Sequence, residues 1–234
     1  CMPSCKKFSG SMSNCESRAS YLYKVVPTTD GIDTLVGLIT TPDGTNPIIT
    51  DLALTRDGIL YGISFDTLYL IDKTTAIATP IGSGLGFSGI NALASDSNGN
   101  LFGAGLDPAY LLSINTSTGL TTPIGPYGSG FISSGDLAFS PNGILYAAVQ
   151  DPNITNTVLV IVDQNTGTAS RINSIIDSGF TNIWGLSFVG GQLYGLTSYI
   201  NGIGILLLID INTGQGSFVR NINFSAFGSS KPRK

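Results

Sequence analysis

Histidine is absent from the 234 residues, glutamate occurs once, at Glu16, and charged residues make up only 11% of the chain. General acid–base chemistry at neutral pH would therefore rest on aspartate alone. Cysteine is missing from everything after the first fifteen residues, where Cys1, Cys5 and Cys15 cluster. Three thiols without a fourth ligand or paired C-x-x-C spacing do not make a zinc site. Long apolar runs are missing too: the longest, Ile203 to Ile209, is broken by Gly204 and falls far short of the roughly 20 residues that span a bilayer.

What is present is 42% hydrophobic residues and 30 glycines, with solubility left to Ser, Thr, Asn and Gly. This composition suits a secreted or surface-displayed β protein better than a metabolic enzyme. Six of the 11 positive charges, Lys6, Lys7, Arg18, Lys231, Arg233 and Lys234, lie near the two ends. The remaining body is acidic and repels nucleic acid. An odd cysteine count in an oxidising compartment allows one internal bridge and leaves one thiol for another chain; a lipid-bearing Cys1 is an alternative.

The chain repeats itself. Leu-Tyr-Gly at 60–62, Leu-Phe-Gly at 101–103, Leu-Tyr-Ala at 145–147 and Leu-Tyr-Gly at 193–195 recur at spacings of 41, 44 and 48 residues, the period of a propeller blade. Each follows a turn dipeptide, Asp57-Gly58, Asn98-Gly99, Asn142-Gly143 or Gly190-Gly191, whose residues suit a two-residue type I′ hairpin. Before each turn stands a large-small pair, Leu52-Ala53, Leu93-Ala94, Leu137-Ala138 or Leu186-Ser187, as an innermost strand needs near a crowded axis. The third strands run through Leu68–Ile71, Leu111–Ile114, Val158–Ile161 and Leu206–Ile209. They end at Asp72, Asn115, Asp163 or Asp210, whose short side chains cap the next turn.

Residues 19–39 match only the second half of a blade, and Asn223–Phe227 match an innermost strand. The prediction is an all-β, five-bladed β-propeller of four-stranded antiparallel blades: four full blades and one composite of both chain ends, over residues 19–228. A Cys-bearing segment, 1–18, precedes it and a basic tail, 229–234, follows. The composite blade lacks one strand, which residues 1–18, further sequence or a neighbouring molecule would supply.

The Leu-Tyr-Gly strand, the Asn-Gly turn and the Ile209–Gly214 turn resemble the repeats of secreted bacterial β-propellers of the NHL and YVTN families. The resemblance implies a binding or scaffolding module, with a minority of enzymes that use acidic or His residues around the central channel. None of those catalytic residues maps onto this chain.

Sites are expected on the face where strand-two-to-strand-three loops and blade-to-blade loops emerge, in segments 82–89, 125–134, 151–156, 173–182 and 198–202. Asp66, Asp107 and Asp151 start the intrablade loops and form a candidate Ca²⁺ ring; otherwise no cofactor is expected. Tyr127, Phe131, Trp184 and Tyr199 are candidate sugar-stacking aromatics. Asn115, Asn153 and Asn223 head glycosylation sequons. These features point to a non-enzymatic extracellular propeller serving as a structural or interaction module, even the self-assembling subunit of a surface fibre or layer joined through Cys1, Cys5 and Cys15. Its partners would be copies of itself or other surface proteins. The alternative is a glycan-binding propeller, and the third reading a propeller hydrolase.

Overall fold

The structure, a computed structural model, describes residues 19–105, 109–172, 180, 183–198 and 204–224. All regular elements among them are β-strands. A hairpin of β1 (Tyr21–Lys24) and β2 (Thr34–Leu38) comes first. Four antiparallel meanders follow: β3 (Asp51–Leu54), β4 (Leu60–Ile63), β5 (Leu68–Ile71) and β6 (Ala78–Ile81) in blade 1, then β7 (Ile90–Ser95), β8 (Leu101–Gly105), β9 (Tyr110–Ile114) and β10 (Thr121–Pro126) in blade 2. Blade 3 is β11 (Ile132–Phe139), β12 (Leu145–Asp151), β13 (Ile154–Val162) and β14 (Ala169–Arg171); blade 4 is β15 (Ile183–Val189), β16 (Gln192–Ser198), β17 (Gly204–Ile209) and β18 (Gly216–Ile222). The protein is a β-propeller. Its innermost strands β3, β7, β11 and β15 pack on one another in succession.

Each blade covers its flat sides with its neighbours. One buried cluster joins blade 1 to blade 2 through Ile63, Ile90 and Leu112, another joins blades 2 and 3 through Phe102, Phe139 and Val160, and a third joins blades 3 and 4 through Tyr146, Leu159 and Leu186. The aromatic of each Leu-aromatic repeat reaches across such a seam: Phe102 meets Phe139 edge-on at 5.3 Å, and Tyr146 meets Phe188 at 5.5 Å. The hairpin closes the sequence of contacts, with Leu22 and Ile39 in a cluster with blade 1 while Tyr23 and Val25 pack against Leu206 and Phe224 of blade 4. The described residues thus form four complete blades, with a two-stranded hairpin between the last and the first. Of the innermost strand expected over 223–227, only Asn223 and Phe224 are described.

Three of the turns differ from the two-residue form. Gly58 donates to Thr55 O, and Thr55 N donates to Ile59 O; only Gly58, at φ +86°, is left-handed. Asp96–Asn100 and Ser140–Ile144 repeat this pattern. These are longer loops closed by a left-handed glycine, and only Gly190-Gly191, at φ +61° and +83°, carries two positive φ values. The difference arises because the Thr55 and Ser140 hydroxyls accept the amides of Ile59 and Ile144, and the Asp96 carboxylate that of Asn100, which favours the wider loop.

The third-strand end turns form as expected. Asp72 accepts from Thr74 N and Thr75 N, Asn115 from Ser117 N and Thr118 N, Asp163 from Asn165 N and Thr166 N, and Asp210 from Asn212 N. A Thr74 hydroxyl holds the exposed Asp72 below the usual carboxylate range, and the Asn212 amide does so for Asp210. Those turns also seal the blades: Thr118-Gly119 lies on Ile81 and Gly82 of blade 1, and Thr166-Gly167 on Gly125 of blade 2. In blade 3 the third strand runs one residue further than the repeat suggested, with Leu145 opposite Val162.

Candidate functional site

The innermost strands bring two carboxylates together on the axis. Asp51 opens β3, and Asp136 stands at the same place in β11; both side chains are wholly buried, with 0% of each residue exposed. The Asp136 side chain faces that of Asp51. Each also accepts two backbone amides. Asp51 takes Leu52 N at 2.7 Å and, from blade 2, Leu93 N at 2.6 Å. Asp136 takes Leu137 N at 2.6 Å and, from blade 4, Leu186 N. Burial first, and the facing Asp136 charge second, push the Asp51 carboxyl well above the usual carboxylate range.

A column of irregularities precedes these positions. The register of β7 shifts between Ile90 and Ala92, that of β11 between Ser133 and Asp136, and that of β15 between Ile183 and Gly185. Such bulges re-aim side chains. Asn91 uses the freedom to donate to Ser133 O of blade 3 at 3.3 Å, and Gly135 adopts φ +127° beside Asn91 and Trp184. The repeat columns that begin at Leu52 do not include the axial pair. One residue earlier the column reads Asp51, Ala92, Asp136, Gly185, and two charges in an otherwise neutral innermost strand are the signal.

Of the residues expected to bind calcium, Asp66 and Asp151 are each engaged by their own neighbours. Asp66 is exposed and accepts from the Ser64 and Thr67 hydroxyls, both at 2.9 Å. Asp151 is buried, pairs with Arg171 and accepts Asn153 N at 2.9 Å. Asp107 lies outside the described residues. Among those described, no three His, Cys, Asp or Glu side chains are grouped to hold a metal. The loop expected over 151–156 shrinks to Pro152-Asn153, because β12 and β13 run on until Asp151 faces Ile154.

The aromatics turn inward. Tyr127 is 1% exposed and Phe131 4%, both inside the cluster between blades 2 and 3, with Arg171 stacked 5.7 Å over the Phe131 ring. Neither offers a face to a sugar. Trp184 is half-buried in β15, and Tyr199 lies outside the described residues, as do Cys1, Cys5 and Cys15. The sequon residues Asn115, Asn153 and Asn223 are exposed.

An open cleft of about 640 Å³ lies elsewhere, at the seam between hairpin and blade 4, lined by residues that include Tyr23, Ile32, Asp33, Arg220, Asn223 and Phe224. Tyr23 and Phe224 stack at 4.0 Å with 12° between their rings. Arg220 bridges the seam, donating to Asp33 Oδ2 at 2.9 Å, to Val26 O at 2.9 Å and to Thr28 O at 3.0 Å.

No protein-family profile matches the chain, and no curated protein matches it in sequence. Solved structures do match in shape. The chain is similar to a PQQ-bound aldose sugar dehydrogenase from Streptomyces coelicolor (16% identity, 90% of this chain and 75% of that one, TM-score 0.55). It is also similar to a gluconolactonase from Xanthomonas campestris (13%, 92% and 77%, TM-score 0.56) and to a chain of a nidogen/laminin complex (11%, 86% and 73%, TM-score 0.54). At these identities the likeness is one of fold. It corrects the expectation of a non-enzyme: the same architecture carries a dehydrogenase and a lactonase, so the propeller does not itself set the chain apart from enzymes.

Proposed function

We propose that this chain is an extracellular propeller of the NHL/YVTN-like kind that works as an interaction module, engaging copies of itself or other surface proteins. The reading is carried by how the accessible chemistry is distributed. The carboxylates Asp51 and Asp136 are sealed in the axis and the loop-face aromatics Tyr127 and Phe131 are spent on packing. The seam, by contrast, keeps an open cleft, and Ile32 on its wall is 82% exposed. Apolar surface of that kind on a charge-poor ring favours a protein partner. Covalent links through Cys1, Cys5 and Cys15, and glycans on Asn115, Asn153 and Asn223, belong to the same reading of a surface fibre or layer subunit. Light scattering on native material, with and without reductant, tests it. The expected result is an assembly that Ile32→Asp weakens and reductant loosens; a monodisperse monomer in both conditions overturns it.

A further inference from the structure

The turns of blades 2 and 3 place an asparagine before their left-handed glycine, and the two blades hold that asparagine differently. Asn98 and Asn142 are both exposed, and each precedes a glycine at positive φ, +85° at Gly99 and +87° at Gly143. Nothing lies within 4 Å of where a Cβ would stand on either glycine. An asparagine carboxamide is open to attack by the backbone nitrogen of the next residue, which makes asparagine a thermolabile side chain. Glycine, with no side chain in the way, lets that nitrogen come closest.

Blade 3 restrains both reacting groups. Ser140 Oγ donates to Asn142 Oδ1 at 2.5 Å, Gly143 N donates to Ser140 O at 2.9 Å, and Gln164 Nε2, from the end of the third strand, donates to Gly143 O at 3.2 Å. Blade 1 repeats the arrangement, with Thr55 Oγ1 donating to Asp57 at 2.5 Å and Lys73 Nζ to Gly58 O. In blade 2 each restraint is lost or weakened. Asp96 stands in the place of Ser140; its carboxylate accepts Asn98 N and Asn100 N, both at 2.8 Å, but has no proton to give the Asn98 carboxamide oxygen. That carboxamide has no hydrogen-bond partner among the described residues, and Gly99 N lies 3.3 Å from Asp96 O. Thr116, a shorter side chain, stands in the place of Gln164, and among the described residues no side chain donates to Gly99 O.

We propose that Asn98 is a site of spontaneous covalent modification, with water as the other reactant. Gly99 N gives its proton to solvent and bonds to Asn98 Cγ; the Cγ–Nδ2 bond breaks, and the nitrogen leaves as ammonia. Water then opens the cyclic imide at one of its two carbonyls, giving aspartate or isoaspartate. Either product adds a negative charge to a body that is already acidic. The aspartate product is the residue blade 1 has at this place, Asp57. Isoaspartate adds a methylene to the backbone inside the loop that Asp96 N closes on Asn100 O at 3.0 Å, and so loosens the turn between β7 and β8. The site is independent of the seam between hairpin and blade 4.

The test is incubation of the full chain at mildly alkaline pH, folded and in denaturant, followed by peptide mapping with mass spectrometry. In the folded chain Asn98 should convert about five- to ten-fold faster than Asn142, the worth of the hydrogen bond that Ser140 supplies. In denaturant, where each is an unrestrained Asn-Gly pair, the two rates should converge. Ser140→Ala should narrow the gap in the folded chain by speeding Asn142. An unmodified Asn98 in the folded chain, equal rates at the two positions, a gap that persists in denaturant, or a gap that Ser140→Ala leaves unchanged overturns the proposal.

Discussion

Gly195 and Ile209 share one space: a methyl group on Gly195 would lie 2.7 Å from Ile209 Cδ1. The relation recurs between Gly103 and Ile114, at 3.0 Å, and again between Gly62 and Ile71. Blade 3 inverts it, with Ala147 in the glycine position and Val162 in the isoleucine position. One methyl is gained on the second strand and one lost on the third, as close packing between adjacent strands demands.

Gly195→Ala should therefore cost about 1–3 kcal/mol by overpacking. Ile209→Val, which alone costs roughly 0.5–1.5 kcal/mol, should recover part of that loss in the double variant. Denaturant midpoints measure the coupling. Strict additivity would show that the two residues do not share space.

Glycines at positive φ should separate into two groups. Gly99, at φ +85°, has nothing within 4 Å of the site of a Cβ, whereas Gly119, at φ +74°, would place it 2.6 Å from the carbonyl oxygen of Ile81 in the neighbouring blade. Gly99→Ala should cost about 1–2 kcal/mol from conformation alone. Gly119→Ala should cost more, since backbone cannot step aside. The reverse order of unfolding midpoints would contradict the sealing role of the Thr-Gly turns.

The blades were legible because each strand's pattern is written four times, and the turn-capping Asp72, Asn115, Asp163 and Asp210 act on residues two or three away. The site was not. Whether Tyr127 and Phe131 face solvent depends on strands of the adjoining blade, such as Val158 and Val160, which no local pattern reveals. The axial pair joins residues 85 positions apart that occupy one column in blades 1 and 3, so it appears only as two departures from a small-residue column. The turns are wider than two residues for a local reason, the Thr55 and Ser140 hydroxyls and the Asp96 carboxylate.

Removing Arg220 should release the first hairpin. Its guanidinium bonds Asp33 and two carbonyls across the seam, and Arg220→Ala should cost about 2 kcal/mol. Arg220→Lys should recover little, because an ammonium cannot reproduce the fork. Limited proteolysis between β1 and β2 should accelerate in both variants. An unchanged cleavage rate would remove Arg220 from the closure.

Calcium at about 1 mM, the range of weak extracellular sites, should leave the unfolding midpoint where it was. Asp151 is already neutralised by Arg171, and Asp66 is bonded to Ser64 and Thr67. A rise of several degrees would restore the expected ring of carboxylates.

The closure of the ring by the first hairpin is tested most directly by amide hydrogen exchange in wild type and Phe224→Ala. In wild type, Tyr21–Lys24 should be protected to a degree comparable with β18. In the variant, which loses the Tyr23 stack, protection of β1 and β18 should fall together while β7–β13 keep theirs. Exchange of β1 at the rate of a free peptide in wild type, or loss of protection in β1 without β18, would contradict a ring joined at that seam.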